Sequence, residues 1–286
     1  MNPFYKGALW PCMGLKEEVT RLAKSLGADL VGFAPASRLS GAPEGYRPMD
    51  VMREARAVIS IAVKIPEAVI EASIRAHKLG EVRYHLPYLL FGYRELNSTL
   101  DRIALGVTRM LEGLGFKALP IPASWPSEWS KFSGAMSHRH AAVAAGLGEL
   151  GWSGLLLTPE YGPRQRLTTV ITSASIEPDP MYSGRKLCNP GECKACVAAC
   201  PAKAIPEQDA AEAEIGGKVF KYAKLRKWRC RTAISLGPSY MSGIKPAETM
   251  EEYLAQARKA DMWLRRLGEV GSLCGRCLLE CPAPRC

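Results

Sequence analysis

The chain has 286 residues, of which 47% are hydrophobic and 23% are charged. This composition is typical of a globular protein with one large domain or two smaller ones, and it excludes an intrinsically disordered, collagen-like or coiled-coil protein. The 38 basic and 28 acidic side chains give a formal net charge of +10, which suits an anionic partner or compensates buried anionic cofactors.

Neither a membrane span nor an export signal is predicted. No apolar run reaches the roughly 18 residues that a span requires, and the longest candidate, residues 57–70, is interrupted by Lys64, Pro66 and Glu67. The first residues lack the charged, apolar and small-residue segments of a signal peptide. We therefore expect a cytoplasmic protein that makes no contact with a membrane.

Helical and extended patterns alternate in the first part of the chain. Apolar residues from Leu15 to Leu26 lie on one helical face, and Gly27 is expected to end that helix. A short strand is predicted at residues 29–33. The β-branched and apolar run 57–63 predicts a strand that is buried on both faces.

A second long helix and a further strand follow. Apolar residues from Leu100 to Leu114 predict an amphipathic helix that ends at Gly115, and residues 167–172 predict a strand. Helices interleaved with strands indicate an α/β (α+β) domain with a covered sheet. The order of its strands does not follow from the sequence.

The cysteines divide the chain in two. Only Cys12 precedes residue 188, and the other nine of the ten cysteines lie between Cys188 and Cys286. The proline-containing segment 176–180 reads as a linker or turn. We therefore predict an α/β domain that binds cofactor and substrate at residues 1–180, and a cysteine-rich domain at residues 181–286.

Two cysteine runs share one spacing pattern. The first is Cys188-x4-Cys193-x2-Cys196-x3-Cys200-Pro201, and the second is Cys274-x2-Cys277-x3-Cys281-Pro282. In bacterial ferredoxins with two [4Fe–4S] clusters, the last cysteine of each such run binds the cluster of the other run. The second run lacks a first cysteine, and Cys230 is the one unassigned cysteine between the runs.

This pattern gives a specific ligand prediction. One [4Fe–4S] cluster is assigned to Cys188, Cys193, Cys196 and Cys281. The other cluster is assigned to Cys200, Cys230, Cys274 and Cys277. Structural zinc and disulfides are the alternatives for the set, and a buried inert thiol is the alternative for Cys230. Cys12 and Cys286 receive no role.

Two neighbouring clusters carry single electrons, so the first domain is expected to hold their acceptor. That domain contains neither a Rossmann nor a P-loop glycine signature. Residues 145–151 are glycine-rich instead. These glycines either allow the backbone to approach a large flat ligand closely or belong to an ordinary turn between a helix and a strand.

Taken together, residues 22–32, the segment Ala145-Gly146-Leu147-Gly148 and the double cysteine run with its isolated Cys230 resemble the epoxyqueuosine reductases and, more distantly, the reductive dehalogenases. The resemblance implies a nitroreductase-like domain that binds base-off cobalamin, followed by a ferredoxin-like module with two [4Fe–4S] clusters. It also implies an oxygen-sensitive oxidoreductase that works under anaerobic conditions. FMN in place of the corrinoid is the alternative.

The resemblance also implies which residues contact the corrinoid. These are Gly146, Leu147, Gly148, Gly151, Thr158, Tyr161, Gly162 and Arg164. An aspartate acts as the general acid in epoxyqueuosine reductases, but the matching position here is Phe132 or Ser133. His138 is the nearest replacement, with His140 as a weaker one.

Tyrosines offer another acid, because the dehalogenases use a tyrosine beside a basic residue. Tyr84 and Tyr93 are the candidates by this resemblance, with Tyr88 between them and Arg83 and Arg94 nearby. Ordinary packing of these rings in a helix is the competing interpretation.

Three functions remain open at this point. The leading one is reductive cleavage of a small electrophile, an epoxide or a halide, with electrons passing through both clusters to the corrinoid. The alternative is a non-catalytic protein that transfers electrons or reduces a partner's corrinoid. The third is reduction of epoxyqueuosine in tRNA, which the absence of a helical-repeat extension after the clusters weakens.

A basic segment with interleaved aromatic residues is a candidate surface for binding a partner. Its members are Lys218, Lys221, Lys224, Arg226, Lys227, Arg229 and Arg231, with Phe220, Tyr222 and Trp228. It fits a nucleic-acid surface such as a tRNA site, a docking site for an acidic donor such as flavodoxin or ferredoxin, or a solvated helix face.

Overall fold

The computed structural model describes residues 14–124, 128, 130–237, 245–259 and 272–284. Cys12 and Cys286 therefore lie outside the described residues. The α-helices are α1 (Leu15–Ser25), α2 (Pro48–Val51), α3 (Glu67–Leu79), α4 (Leu96–Gly113), α5 (His138–Ala144), α6 (Ala195–Ala199), α7 (Lys227–Leu236), α8 (Met250–Lys259) and α9 (Arg276–Leu279). A π-helix, Tyr88–Glu95, leads directly into α4, and 3-10 turns cover Ala36–Leu39 and Val82–Tyr84.

A four-stranded antiparallel sheet forms the centre of the fold. The strands are β1 (Leu30–Pro35), β2 (Ala57–Lys64), β3 (Ala118–Ile121), β4 (Glu149–Leu150), β5 (Leu156–Leu157), β6 (Gln165–Thr172), β7 (Ala210–Ile215) and β8 (Lys218–Ala223). The sheet order is β1-β2-β6-β3. The pairs β4–β5 and β7–β8 form two separate ribbons.

Both faces of the central sheet are covered, as predicted for residues 57–63. Seven of the eight residues of β2 are buried. Ile59 and Ile61 pack against α1 and α4, whereas Val58 packs on the opposite face with the alanines of α5. Helices on both faces explain why an antiparallel strand lacks the usual alternation of apolar and polar residues.

The cysteine-rich part contacts the first part through backbone and side-chain interactions. Leu278 and Leu279 of α9 pack with Ile65 and Tyr88. Arg164 donates to the carbonyl oxygens of Ala283, at 2.6 Å, and Cys281. The division at residue 180 stays a prediction.

The segment predicted as a linker is held firmly against β1. Asp179 forms an ion pair with Lys16 at 2.5 Å, and its other carboxylate oxygen accepts a hydrogen bond from the amide of Phe33. Ile176 is buried in the core. Among the described residues, none of the helices combines the length and apolar character that a bilayer crossing needs.

Gly148 is fixed by close backbone packing. A Cβ atom at this position would lie 1.9 Å from the carbonyl oxygen of Leu157, which backbone pairing holds in place. We therefore expect Gly148→Ala to lower the free energy of unfolding by about 2–3 kcal/mol through overpacking. Chemical denaturation of the reconstituted protein measures it.

Gly106→Ala is the matched control. Its Cβ would meet only the end of the Leu26 side chain, which is 42% exposed and can move. Replacing a glycine inside α4 also gains helix propensity, so this variant should be neutral or more stable. Equal losses in both variants would contradict the packing argument.

Candidate cofactor and active site

The described part of the chain contains eight free cysteines, which the cysteine spacing divides into a first group, Cys188, Cys193, Cys196 and Cys281, and a second group, Cys200, Cys230, Cys274 and Cys277. In the first group, burial and then the neighbouring thiols of Cys188, Cys281 and Cys193 together raise the pKa of Cys196 to about 11. Cys281 thus lies near cysteines of the earlier run, although some 80 residues separate it from them.

The second group surrounds Cys230. Burial, followed by the neighbouring thiols of Cys274 and Cys200, raises the pKa of the Cys230 thiol to about 12. The pKa of Cys277 is raised by burial and then by Cys274, Cys230 and Cys200. The isolated cysteine of α7 therefore lies beside the second run.

These groups fit [4Fe–4S] clusters in chemistry and surroundings. Backbone amides point at two of the sulfur atoms, Trp152 N to Cys188 Sγ at 3.3 Å and Ala204 N to Cys200 Sγ at 3.2 Å. No three described His, Cys, Asp or Glu side chains converge as they would on one metal ion. A cluster needs no such convergence, because each cysteine binds a different iron. Cluster ligation itself stays a prediction.

A large cavity lies beside the second cysteine group. Its volume is about 1310 Å³, above the roughly 300–1,000 Å³ of ordinary small-molecule pockets. Its wall includes residues of the π-helix, α4, α5, α7 and α9. Space for a cofactor as large as a corrinoid is therefore present.

Arg139 connects the cavity with the second cysteine group. Its guanidinium lines the cavity and donates to the carbonyl oxygen of Gly154 at 2.5 Å. Burial lowers its pKa, while Cys230 and Cys277 are among the neighbours that raise it. A positive charge therefore lies between the cavity and the predicted anionic cluster.

Tyr93 and Arg166 form an ordered pair on the cavity wall. The Tyr93 hydroxyl shares a hydrogen bond with Ser124 Oγ at 2.6 Å. The Arg166 guanidinium lies over the Tyr93 ring, 4.3 Å from its centroid, and its Nε donates to Asn97 Oδ1 at 2.9 Å. The basic neighbour of Tyr93 is thus Arg166 of β6, whereas Arg94 pairs with Glu95.

His138 also lines the cavity, but both of its ring nitrogens are engaged. Nε2 lies 2.9 Å from the carbonyl oxygen of Pro122, which can only accept, so Nε2 carries the proton and Nδ1 accepts from Thr169 Oγ1 at 2.8 Å. Burial lowers the pKa of His138 to about 4. The ring is therefore neutral near pH 7 and is a weaker proton donor than the sequence predicted.

The protonation state of His138 can be tested directly. We expect its ring to show no titration between pH 5.5 and 8, because the pKa lies below that range. Long-range proton–nitrogen NMR of the oxidised, reconstituted protein, assigned with His138→Asn, measures this. A titration near pH 6.5 that disappears in the variant would restore His138 as an acid.

The remaining candidate acids lie in different settings. His140 lines the cavity near Tyr222, and burial lowers its pKa to about 4. Tyr84 lies outside the cavity wall, between the guanidinium groups of Arg75 and Arg83. Tyr88 is buried, and burial raises its pKa.

None of the eight residues predicted to contact the corrinoid lines this cavity. Cβ atoms at Gly146 and Gly162 would lie 2.2 Å and 2.1 Å from the carbonyl oxygens of Pro180 and Ala283. Gly148 and Gly151 pack on Leu157, and Arg164 donates to the Cys281 loop. The ordinary-turn interpretation explains these glycines. Leu147, Thr158 and Tyr161 are likewise absent from the wall.

The basic segment of residues 218–231 divides between two surfaces. Lys221 pairs with Glu212 on the β7–β8 ribbon, and Arg229 pairs with Glu248. Lys224, Lys227 and Arg231 line the cavity. The segment is therefore not one continuous helix face.

Sequence reasoning missed Arg166, Arg139 and Asp101, which all line the cavity. Asp101 accepts a hydrogen bond from the amide of Ala123 at 2.8 Å. Asp101 lies in a predicted helix, where charged residues usually face water, and Arg166 directly precedes the predicted strand 167–172. The one sequence signal for Arg139 was its position next to the candidate acid His138.

Comparisons with known proteins show that the chain is similar to proteins of two enzyme groups. No family model matches the chain. The epoxyqueuosine reductase of Listeria monocytogenes is 29% identical over 208 residues, 65% of this chain and 51% of that protein. The tetrachloroethene reductive dehalogenase of Desulfitobacterium hafniense is 45% identical over 69 residues, 23% of this chain and 12% of that protein. This chain is similar to members of both groups.

Solved structures of both groups share its mixed α/β fold. A catabolic reductive dehalogenase in complex with 3-bromo-4-hydroxybenzoic acid matches with a TM-score of 0.57 and 17% identity, over 89% of this chain and 35% of that one. An epoxyqueuosine reductase with a tRNA stem loop matches with a TM-score of 0.52 and 19% identity, over 89% and 68%. The resemblance predicted from the sequence is confirmed, and the relatives are oxidoreductases. The chain spans about half the length of the curated epoxyqueuosine reductases.

Proposed function

We propose that this protein is a corrinoid- and iron–sulfur-dependent reductase that cleaves a small electrophile, an epoxide or a halide. The observation that carries the proposal is the position of the cavity beside the second cysteine group. Arg139 and Leu278 both line that cavity, Arg139 interacts with Cys230 and Cys277, and Leu278 directly follows Cys277 in α9.

The cofactors are part of the proposal. Two [4Fe–4S] clusters, held by the two cysteine groups in a ferredoxin-like module, would carry single electrons toward the cavity. A base-off corrinoid in the cavity of the nitroreductase-like part would supply electrons to the bond being cleaved. The cavity volume supports a cofactor of this size, and a relative's structure concerns B12-dependent dehalogenation.

Residues of this chain would supply the proton that the reaction consumes. Replacing a carbon–halogen bond by a carbon–hydrogen bond takes two electrons and one proton, and releases halide. Tyr93 can donate that proton from its hydroxyl, which the hydrogen bond to Ser124 orients. The Arg166 charge over the ring stabilises the phenolate that remains.

A second candidate is reduction of epoxyqueuosine in tRNA. Two observations favour it, namely the similarity to epoxyqueuosine reductases and the lysines that line the cavity, Lys131, Lys224 and Lys227. The missing aspartate counts against it. A non-catalytic electron carrier, with a flavodoxin or ferredoxin as donor, is the remaining alternative.

The deciding experiment is anaerobic reconstitution of the full chain followed by titration with cob(II)alamin. We expect about eight irons per chain, the number that two [4Fe–4S] clusters require, and a changed cobalt signal in electron paramagnetic resonance. Eight irons with an unchanged cobalt signal would overturn the corrinoid. A parallel titration with FMN would then show whether a flavin occupies the cavity.

A further inference from the structure

The cavity carries a large surplus of positive charge. Among the described residues of its wall, one side chain is a carboxylate, Asp101, and it already accepts a hydrogen bond from the Ala123 amide. The basic lining side chains are Arg94, Lys131, Arg139, Arg166, Lys224, Lys227 and Arg231. An uncharged ligand would leave this surplus uncompensated.

Local ion pairs neutralise only part of the surplus. Arg94 pairs with Glu95, and Lys131 pairs with Glu128. Within the described ranges, neither Arg139 nor Arg166 forms a salt bridge. Arg139 lies beside the predicted cluster, where the cysteine thiolates would compensate it. Arg166 forms no salt bridge with any described carboxylate, and Asp101, the acidic side chain of the described wall, already accepts a hydrogen bond from the Ala123 amide.

Arg166 is nevertheless held in one orientation. Its Nε donates to Asn97, and its guanidinium carbon lies 4.3 Å from the centroid of the Tyr93 ring. Its terminal nitrogens donate to no other residue in the part of the chain that the structure describes. A guanidinium fixed in this way presents two parallel N–H groups, the geometry that matches a carboxylate or a phosphate.

We infer that the substrate is an anion whose carboxylate or phosphate group binds Arg166. The bond to be cleaved would then lie toward the Tyr93 hydroxyl on the same wall. This inference deepens the proposed function. The cleavage reaction rests on the proposed function, whereas binding of the anion by Arg166 does not. It makes Arg166 a specificity-determining residue.

Two other sources of negative charge could meet the same arginine. One is the phosphate of the corrinoid itself, and the other is an RNA backbone. A small substrate is favoured because Arg166 is half-buried on the cavity wall, whereas the lysines suited to a long phosphate chain are exposed. The test separates these sources.

The probes are 3-bromobenzoate and the neutral 3-bromobenzamide, which have nearly the same shape. Calorimetry under anaerobic conditions gives their affinities for the reconstituted full chain, with and without cob(II)alamin. The variants are Arg166→Gln and, as the matched control, Arg109→Gln, which removes an exposed charge of α4 outside the cavity wall. Iron content and the melting temperature establish that each variant is folded.

We expect the benzoate to bind roughly ten- to a hundredfold more tightly than the amide, as one charge-assisted pair provides. Arg166→Gln should abolish this preference and Arg109→Gln should keep it. Should Arg166→Gln fail to fold, Arg166→Lys should reduce the preference, since lysine retains the charge without the planar pair of donors.

Three results would overturn the inference. These are equal affinity for the two probes, a preference that Arg166→Gln or Arg166→Lys leaves unchanged, and a preference that disappears on loading with cob(II)alamin. The last result would assign Arg166 to the cofactor. Binding of an RNA stem loop that Arg166→Gln weakens, without benzoate preference, would assign it to RNA. If the protein prefers the benzoate but binds no corrinoid, the inference about Arg166 holds and the proposed function is wrong.

Discussion

Replacement of Cys230 by alanine should lower the iron content of the reconstituted protein from about eight to about four per chain. The predicted second cluster depends on this cysteine, because Cys200, Cys274 and Cys277 supply only three thiols. The first group retains all four of its cysteines. Iron and sulfide analysis, together with electron paramagnetic resonance of the reduced protein, measures the loss.

Cys12→Ala is the control for this experiment, since the cysteine pattern assigns no role to Cys12. It should retain about eight irons. Full iron content in Cys230→Ala would show that Cys230 is an inert buried thiol. The proximity of two other predicted ligands gives a reason against that outcome, because Cys274 and Cys200 lie close enough to affect the pKa of Cys230.

Tyr93→Phe should reduce turnover of a halogenated or epoxide substrate by roughly 10²- to 10⁴-fold, the usual contribution of a positioned general acid. The variant removes the hydroxyl that bonds to Ser124 and keeps the ring under Arg166. Iron content, corrinoid binding and 3-bromobenzoate affinity should stay unchanged. Single-turnover kinetics with a chemical reductant measures the effect on the chemical step.

Tyr84→Phe is the matched control, because Tyr84 was an equal candidate in the sequence but lies outside the cavity wall. It should retain wild-type turnover. If Tyr93→Phe is as active as the wild type while His138→Asn is inactive, the proton comes from the histidine and our assignment is wrong.

Local pattern was sufficient for much of the fold. The apolar faces of α1 and α4 and the uniformly apolar β2 follow from side-chain periodicity, which depends on neighbours along the chain. The cysteine spacing likewise placed Cys281 near the first run, and Cys188 and Cys193 lie close enough to raise the pKa of Cys281, while the complete ligand sets stay predictions. The antiparallel order β1-β2-β6-β3 was not predictable, because it depends on pairings between residues far apart in sequence.

The residues of the cavity wall were also not predictable from local sequence patterns. Glycines at 146–151 suggested a close approach to a ligand, but Gly148 approaches the backbone of β5 instead. Both uses require a missing side chain, so sequence cannot distinguish them. Arg166 enters the wall because β6 presents it beside a π-helix, an element that no sequence pattern indicated.

The π-helix also makes the site sensitive to chain length. In an α-helix, positions five residues apart point about 140° away from each other, which would place Tyr88 and Tyr93 on nearly opposite sides. The wider turn brings them onto one side, so Tyr88 packs beside Gly275 of the cysteine turn while Tyr93 lines the cavity. A substitution within this segment changes one contact. Removal of a single residue would instead rotate one tyrosine away from the other, and so separate the proposed proton donor, Tyr93, from the ring that packs against the cysteine turn.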